Sequence, residues 1–172
     1  DRLRVYLLLR HISRFAAVTL ISFSERPADL VDAGPLLEFC ERVEVIALPV
    51  WQSRLNLLTG TFSAEPFQVS YYRSEVMERL VEKLVRERFD VAFAHLFRMF
   101  PYLDRFSGRR IVDLSDSLAL NLRRAIPVKP ALSRLAFREE LRRVAPYESR
   151  VMRRVEQSWV ISETDRADLL AR

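Results

Sequence analysis

A chain of 172 residues, 49% hydrophobic and 30% charged, is long enough for one domain with a full core and short for two ordinary ones. Its net charge of +5 comes from arginine, which suits attraction to a polyanion or an anionic membrane surface and equally suits arginines that solvate helix faces. Zinc-ligand spacing, an aromatic ribonucleoprotein signature and a recognition helix are all lacking, so nucleic acid is not an expected partner.

No apolar run has the length to cross a bilayer, and the opening Asp1-Arg2-Leu3-Arg4 makes no leader. The single cysteine, Cys40, cannot form an internal disulfide and reads as an inert thiol in an apolar, helix-like segment.

In residues 1–14, Leu3, Tyr6, Leu7 and Arg10 against Val5, Leu8, Leu9 and Ile12 fit a helix buried around much of its circumference, although Val5 to Leu9 alone also suits a strand. Helix is the better reading because the next run, Ala16 to Ser24, is a strand: branched and aromatic, and closed by a polar cluster with Pro27. A helix over 28–41 follows, broken or restarted at Gly34-Pro35, and then a strand over 43–48 stopped by Pro49. From Val50 to Tyr72, aromatic and leucine residues lie among Ser, Thr, Gly60 and Pro66. This predicts a short helix and a long ordered loop, whose aromatics either plug onto the sheet or form an apolar rim for a lipid-borne substrate or a bilayer surface.

Ser74 caps a helix whose stripe is Met77, Leu80, Val81, Leu84 and Val85, with Glu75–Arg79 and Glu82–Arg86 pairs on its outer face. Phe89 to Leu96 is an apolar run with a histidine near its end, and a short helical crossover through Met99 to Leu103 follows. Arg109 to Ser117 repeats the design, with basic residues leading in and acids and hydroxyls at the close. A helix over 118–126 is broken by Pro127 and Pro130, and a long arginine-rich helix over 131–154 has Pro146 as a kink or restart. Gln157 to Ile161 is the last strand. Ser162-Glu163-Thr164-Asp165 matches a capping box that opens a helix running to Arg172.

This alternation predicts an α/β fold, a Rossmann-like parallel sheet flanked by helices. Ligands of such sheets bind at the carboxyl ends of the strands, which singles out His95, Asp113, Asp116 and Ser117. An imidazole at His95 can bond a hydroxyl or move a proton, or it is a satisfied structural group. Asp116 is the better candidate for orienting a hydroxyl. Asp113, an odd step back along the strand, is expected on the other face of the sheet. Ser117 reads as a ligand contact or a helix cap. Arg98, Arg123 and Arg124 follow strand ends and can clamp a phosphate, or solvate the surface. His11 carries no expected chemistry, and no metal-ligand set is visible.

Four segments carry a resemblance: Leu3-Arg4-Val5-Tyr6-Leu7-Leu8-Leu9-Arg10-His11, Phe89-Asp90-Val91-Ala92-Phe93-Ala94-His95, Val112-Asp113-Leu114-Ser115-Asp116-Ser117-Leu118-Ala119-Leu120-Asn121-Leu122 and Val160-Ile161-Ser162-Glu163-Thr164-Asp165-Arg166. In order and spacing they resemble the amino-terminal domain of group 1 (family 4) glycosyltransferases, most nearly the exopolysaccharide-associated sugar transferases of bacteria. The resemblance implies the acceptor-binding half of a GT-B fold, in a retaining, metal-independent enzyme that needs no cofactor. Such an enzyme moves a sugar from a nucleotide-sugar donor to a saccharide or lipid-linked acceptor, in the cytoplasm or at the inner face of the cytoplasmic membrane. It implies Asp116 and His95 as catalytic residues, with Asp113, Ser117, Arg98, Arg123 and Arg124 at the acceptor.

Two departures accompany the resemblance. The family's first strand and glycine-rich loop precede the helix that opens here, so residues upstream of Asp1 are expected, and an uninterrupted sheet built from these residues alone would refute that. The donor domain is also absent, so the fragment is expected to be inactive by itself. The rival readings are a non-catalytic Rossmann-like binding or assembly module and part of a sugar-nucleotide epimerase.

Overall fold

A computed structural model describes residues 2–25 and 34–172. The chain falls into two compact units, residues 1–54 and 55–172.

The first unit contains α1 (Arg2–Ile12), β1 (Thr19–Ser24), α2 (Gly34–Leu37) and β2 (Arg42–Ala47). β1 and β2 run parallel, with Thr19 opposite Arg42 and Ser24 opposite Ala47, and Tyr6 of α1 meets Phe39 edge-on at 5.4 Å. The strand begins at Thr19 rather than Ala16. Of the helix expected over 28–41, residues 28–33 lie outside the described residues. The remainder is the single turn α2, which opens at Gly34, the restart expected at Gly34-Pro35; a proline suits the first turn of a helix, where its missing N–H is not needed. Cys40 is buried in the turn before β2, not in a helix. Burial pushes its thiol up, which favours the unreactive neutral form.

The short helix expected between Val50 and Tyr72 is α3 (Val50–Gly60), and the long ordered loop expected with it is cut to residues 61–66 by a second helix, α4 (Phe67–Tyr71). The hydroxyl residues that suggested a loop bond back onto the helix: Thr59 Oγ1 donates to the Leu55 and Asn56 carbonyls, and Thr61 Oγ1 to Leu58, as such side chains do inside and at the end of helices. Trp51, Leu55, Leu58 and Phe62 are exposed rather than plugged onto a sheet. Gly60 is required by close approach, since a Cβ there would stand 2.6 Å from Ser70 Cβ and Oγ.

The second unit continues with α5 (Glu75–Leu84), β3 (Val91–His95), a short 3-10 turn (Phe97–Met99) and α6 (Phe100–Leu103). β4 (Arg109–Ser115) and α7 (Leu118–Ala125) follow, then a second 3-10 turn (Ile126–Val128), α8 (Ala131–Arg154), β5 (Gln157–Val160) and α9 (Glu163–Leu170). Ser74, Ser117 and Ser162 each cap a helix, their hydroxyls accepting from the N–H groups of Met77, Leu120 and Asp165. Helix α9 ends at Leu170, short of Arg172. The pairs expected on α5 do not form among the described residues; Glu82 pairs instead with Arg105, and Glu78 with Arg73, because partners on neighbouring segments come closer.

β3, β4 and β5 lie side by side and parallel. Alternation along the strands gives two faces. Ala94, Val112 and Leu114 point into a buried cluster with Ala119 and Leu122 of α7, Val144, Tyr147 and Val151 of α8, and Leu169 of α9. The opposite face presents Phe93 and Trp159, ring centroids 5.3 Å apart, together with His95 and Asp113. Helix α8 is continuous through Pro146. Its buried stripe is partly charged, and Arg143, expected among the solvated arginines, is buried with Glu140 and Glu148.

The chain is thus α/β, with parallel strands flanked by helices. Among the described residues the strands form two separate sheets, β1-β2 and β3-β4-β5, and no uninterrupted sheet is built from them.

Candidate functional site

The carboxyl ends of β3 and β4 are built by a register that sequence spacing does not reveal. His95 lies opposite Asp113, and Asp113 lies opposite Trp159, so three side chains of one face stand in a row. His95 Nδ1 is 3.1 Å from Asp113 Oδ2. Asp113 is only 1% exposed, while the His95 side chain keeps 23% of its surface open. The second carboxylate oxygen, Oδ1, accepts from Ser115 N at 3.0 Å and from Ser115 Oγ at 3.4 Å.

An ionised carboxylate only accepts, so Oδ2 calls for an N–H from the imidazole. In a neutral ring the proton then resides on Nδ1 and the lone pair on Nε2. A buried carboxylate behind a partly open imidazole is the arrangement that fixes a tautomer and aims the other nitrogen outward.

Both strands leave the sheet through left-handed backbone. Leu96 has φ 73° and Ser115 has φ 63°, conformations that cost a non-glycine residue about 1–2 kcal/mol each. The Leu96 N–H donates to the Asp113 carbonyl at 2.7 Å, tying the two exits together. At Ser115 the register with β5 slips, and the Asp116 N–H turns back onto the Leu114 carbonyl at 2.8 Å. The strain is held where the side chains converge. Because Ala retains the Cβ that disfavours positive φ, Ser115→Gly should be more stable than Ser115→Ala by about 1 kcal/mol, as read from paired urea denaturation curves. Equal stability of the two variants would show that the backbone relaxes freely there.

The other residues singled out from the sequence are placed differently. Asp116 is exposed beyond the strand and accepts from Asn121 Nδ2 at 2.7 Å. Ser117 is fully buried and occupied: its Oγ donates to Asp168 Oδ2 at 2.7 Å and accepts from Arg172, while its N–H donates to Asp165. Arg123 pairs with Asp168. Arg124 is exposed and helps hold the Asp165 carboxyl down, after the hydrogen bonds from Ser162 and the Ser117 amide. Arg98 stands apart from these, with Nη1 donating to Gln68 Oε1 at 3.1 Å and its guanidinium 4.7 Å from the Tyr72 ring centre.

The amino end of α7 is not open to a ligand. Leu118 N and Ala119 N donate to the buried Glu148 carboxylate, at 2.8 and 3.4 Å, and Arg172 Nη1 bonds the same carboxylate at 3.0 Å. Glu140 does likewise for α4, accepting from Phe67 N at 2.7 Å and Gln68 N at 3.2 Å. These two acids of α8 were invisible as caps in the sequence, since each serves a helix far away in the chain. Ser115 was also missed, as a serine gives no local sign of positive φ.

Among the described residues no cluster of three or more His, Cys, Asp or Glu has the geometry to hold a metal ion, and no helix is long and apolar enough to cross a membrane. No protein-family model, curated protein or solved structure matches this chain. Fold and site therefore define a class: a Rossmann-like α/β binding layer with a carboxylate-fixed histidine at the carboxyl edge of its sheet.

Proposed function

We propose that this chain is a ligand-binding α/β layer in which His95, fixed by Asp113, grips a hydroxyl of a polar, sugar-like ligand at the carboxyl edge of β3 and β4. The observation that carries the reading is the His95–Asp113 contact, with the acid buried and the imidazole partly open. It sits where parallel sheets present ligands, next to two residues in strained backbone. Nε2 supplies an acceptor for a hydroxyl, and the half-buried ring of Trp159 beside Asp113 supplies an apolar surface nearby.

Saccharide titration followed by the 15N resonances of His95 tests this. The Nε2 signal should move on binding, and Asp113→Asn, which keeps only one of the two acceptor oxygens shared by His95 and Ser115, should weaken affinity by about tenfold, or 1.4 kcal/mol. A His95 signal unmoved by a broad panel of mono- and disaccharides, in the folded protein, rejects the assignment.

A finer reading has its own support. The segments that resemble family 4 glycosyltransferases include the two that end in His95 and carry Asp113, and these residues meet in space. On that reading the layer is the acceptor-binding half of a sugar transferase, with the donor held by a second domain. A reading frame that continues past Arg172 into a nucleotide-sugar domain favours transfer, and one that ends there favours a binding or assembly module.

A further inference from the structure

Beside the carboxyl end of β3, Leu57, Phe67, Gln68, Tyr71, Tyr72 and Arg98 line a cavity of about 360 Å³, within the range that holds a small ligand. Leu96, at φ 73°, turns the chain out of the strand so that Phe97 is buried and Arg98 faces the cavity.

The walls are fixed from behind. Tyr102 Oη donates to the Tyr72 carbonyl at 2.6 Å and accepts from Ser74 N at 2.9 Å. Glu140 holds the first two amides of α4, and the Arg143 guanidinium stacks 4.2 Å from the centre of the Phe67 ring.

Arg98 is the one cation of this lining. It is half-buried, stacked on Tyr72 and bonded to the neutral Gln68 amide, and no carboxylate among the described residues pairs with it. Glu140, which accepts from the Gln68 amide, spends both oxygens on backbone N–H groups. A guanidinium has five N–H donors in a planar fork, and only one of them is committed here. Partly removed from water, such a cation favours an anion that takes two donors at once, and phosphate fits that fork. The rest of the lining is aromatic and aliphatic, suited to an apolar body.

We infer that this cavity binds a phosphate monoester carried on an apolar chain, with the phosphate on Arg98 and the chain against Phe67, Tyr71 and Leu57. The inference extends the reading of the carboxyl edge as the ligand edge, adding an anion subsite to the hydroxyl contact at His95.

Octyl phosphate, titrated into the protein below its micelle concentration, is the probe, with octyl glucoside as the neutral control. The Arg98 Nε–H resonance should shift, and Arg98→Gln should weaken octyl phosphate binding by about tenfold or more. Arg98→Lys, which keeps the charge without the fork, should fall between the two. Octyl glucoside should bind far more weakly than the phosphate.

Sedimentation with phosphatidylcholine vesicles containing phosphatidic acid separates the sources. Arg98-dependent sedimentation assigns the phosphate to a lipid headgroup, and binding of octyl phosphate alone assigns it to a free ester. Asp113→Asn should leave octyl phosphate binding within about twofold, so the hydroxyl site and the phosphate site fail independently. Equal binding by Arg98→Gln and wild type, equal binding of octyl glucoside, or shifts in wild type that spare Arg98 would each overturn the inference; the last does not depend on any variant folding.

Discussion

Glu148→Ala is expected to destabilise the fold by about 3–5 kcal/mol, the usual loss when one member of a buried ion pair is removed. The carboxylate is wholly buried and accepts from Leu118 N, Ala119 N and Arg172. Truncation leaves two amides at the start of α7, the helix that follows the candidate site, without an acceptor, and takes one carboxylate from Arg172, which keeps Asp168. Urea denaturation of the variant should show a lower midpoint with the slope unchanged. A loss under about 1 kcal/mol would mean that water reaches the amides and replaces the acid.

Its pH dependence has a definite sign. Burial pushes the Glu148 carboxyl above the ordinary 4.5, against the pull of Arg172 and the two amides. The folded chain therefore holds this proton more tightly than the unfolded chain, so this group's contribution is greatest below 4.5 and declines as pH rises through the raised value. Glu148→Gln cannot ionise and lacks that decline. The margin of wild type over the glutamine variant should accordingly narrow from pH 4 upward, and a margin that widens instead would show that the two amides and Arg172 outweigh burial.

Local signals carried much of the fold. Branched and aromatic runs marked the strands, and a serine before an apolar-periodic segment marked the starts of α5, α7 and α9, because capping and alternation act over a few residues. Where sequence reasoning failed, the deciding contacts were distant. Residues 50–72 read as a short helix and a long loop, where α4 was missed, because threonines that bond back onto α3 give no sign of it in the sequence.

The site was legible in its location but not in its pairing. That ligands gather at the ends carrying His95 and Asp113 follows from parallel topology. That Asp113 faces His95 follows only from register, and alternation counted back from Asp116 misled because the chain has left regular strand at Ser115. Glu140 and Glu148 drew no reading from the sequence, because a buried acid announces itself only through the amides it meets. Ser117, which sequence placed equally as a cap or a contact, has its hydroxyl occupied by Leu120 N, Asp168 and Arg172.

Arg143→Met should cost about 3 kcal/mol, since it strands one buried and two partly buried carbonyls at once. The guanidinium donates to the carbonyls of Gly60 at 2.8 Å, Thr61 at 3.0 Å and Glu65 at 3.2 Å, and its Nε donates to Glu139 at 2.6 Å. Methionine fills much of the same volume, so the loss reports hydrogen bonds rather than a cavity. Arg143→Lys should recover only part of it, because an ammonium cannot reproduce the planar fork that spans three carbonyls. The consequence extends to function: the turn at 61–66 delivers Phe67 and Gln68 to the cavity wall, so Arg143→Met should speed amide exchange at 67 and 68 and weaken octyl phosphate binding without touching the ligand. Stability lost with exchange at those amides unchanged would confine Arg143 to holding residues 60–65 and free the cavity from its control.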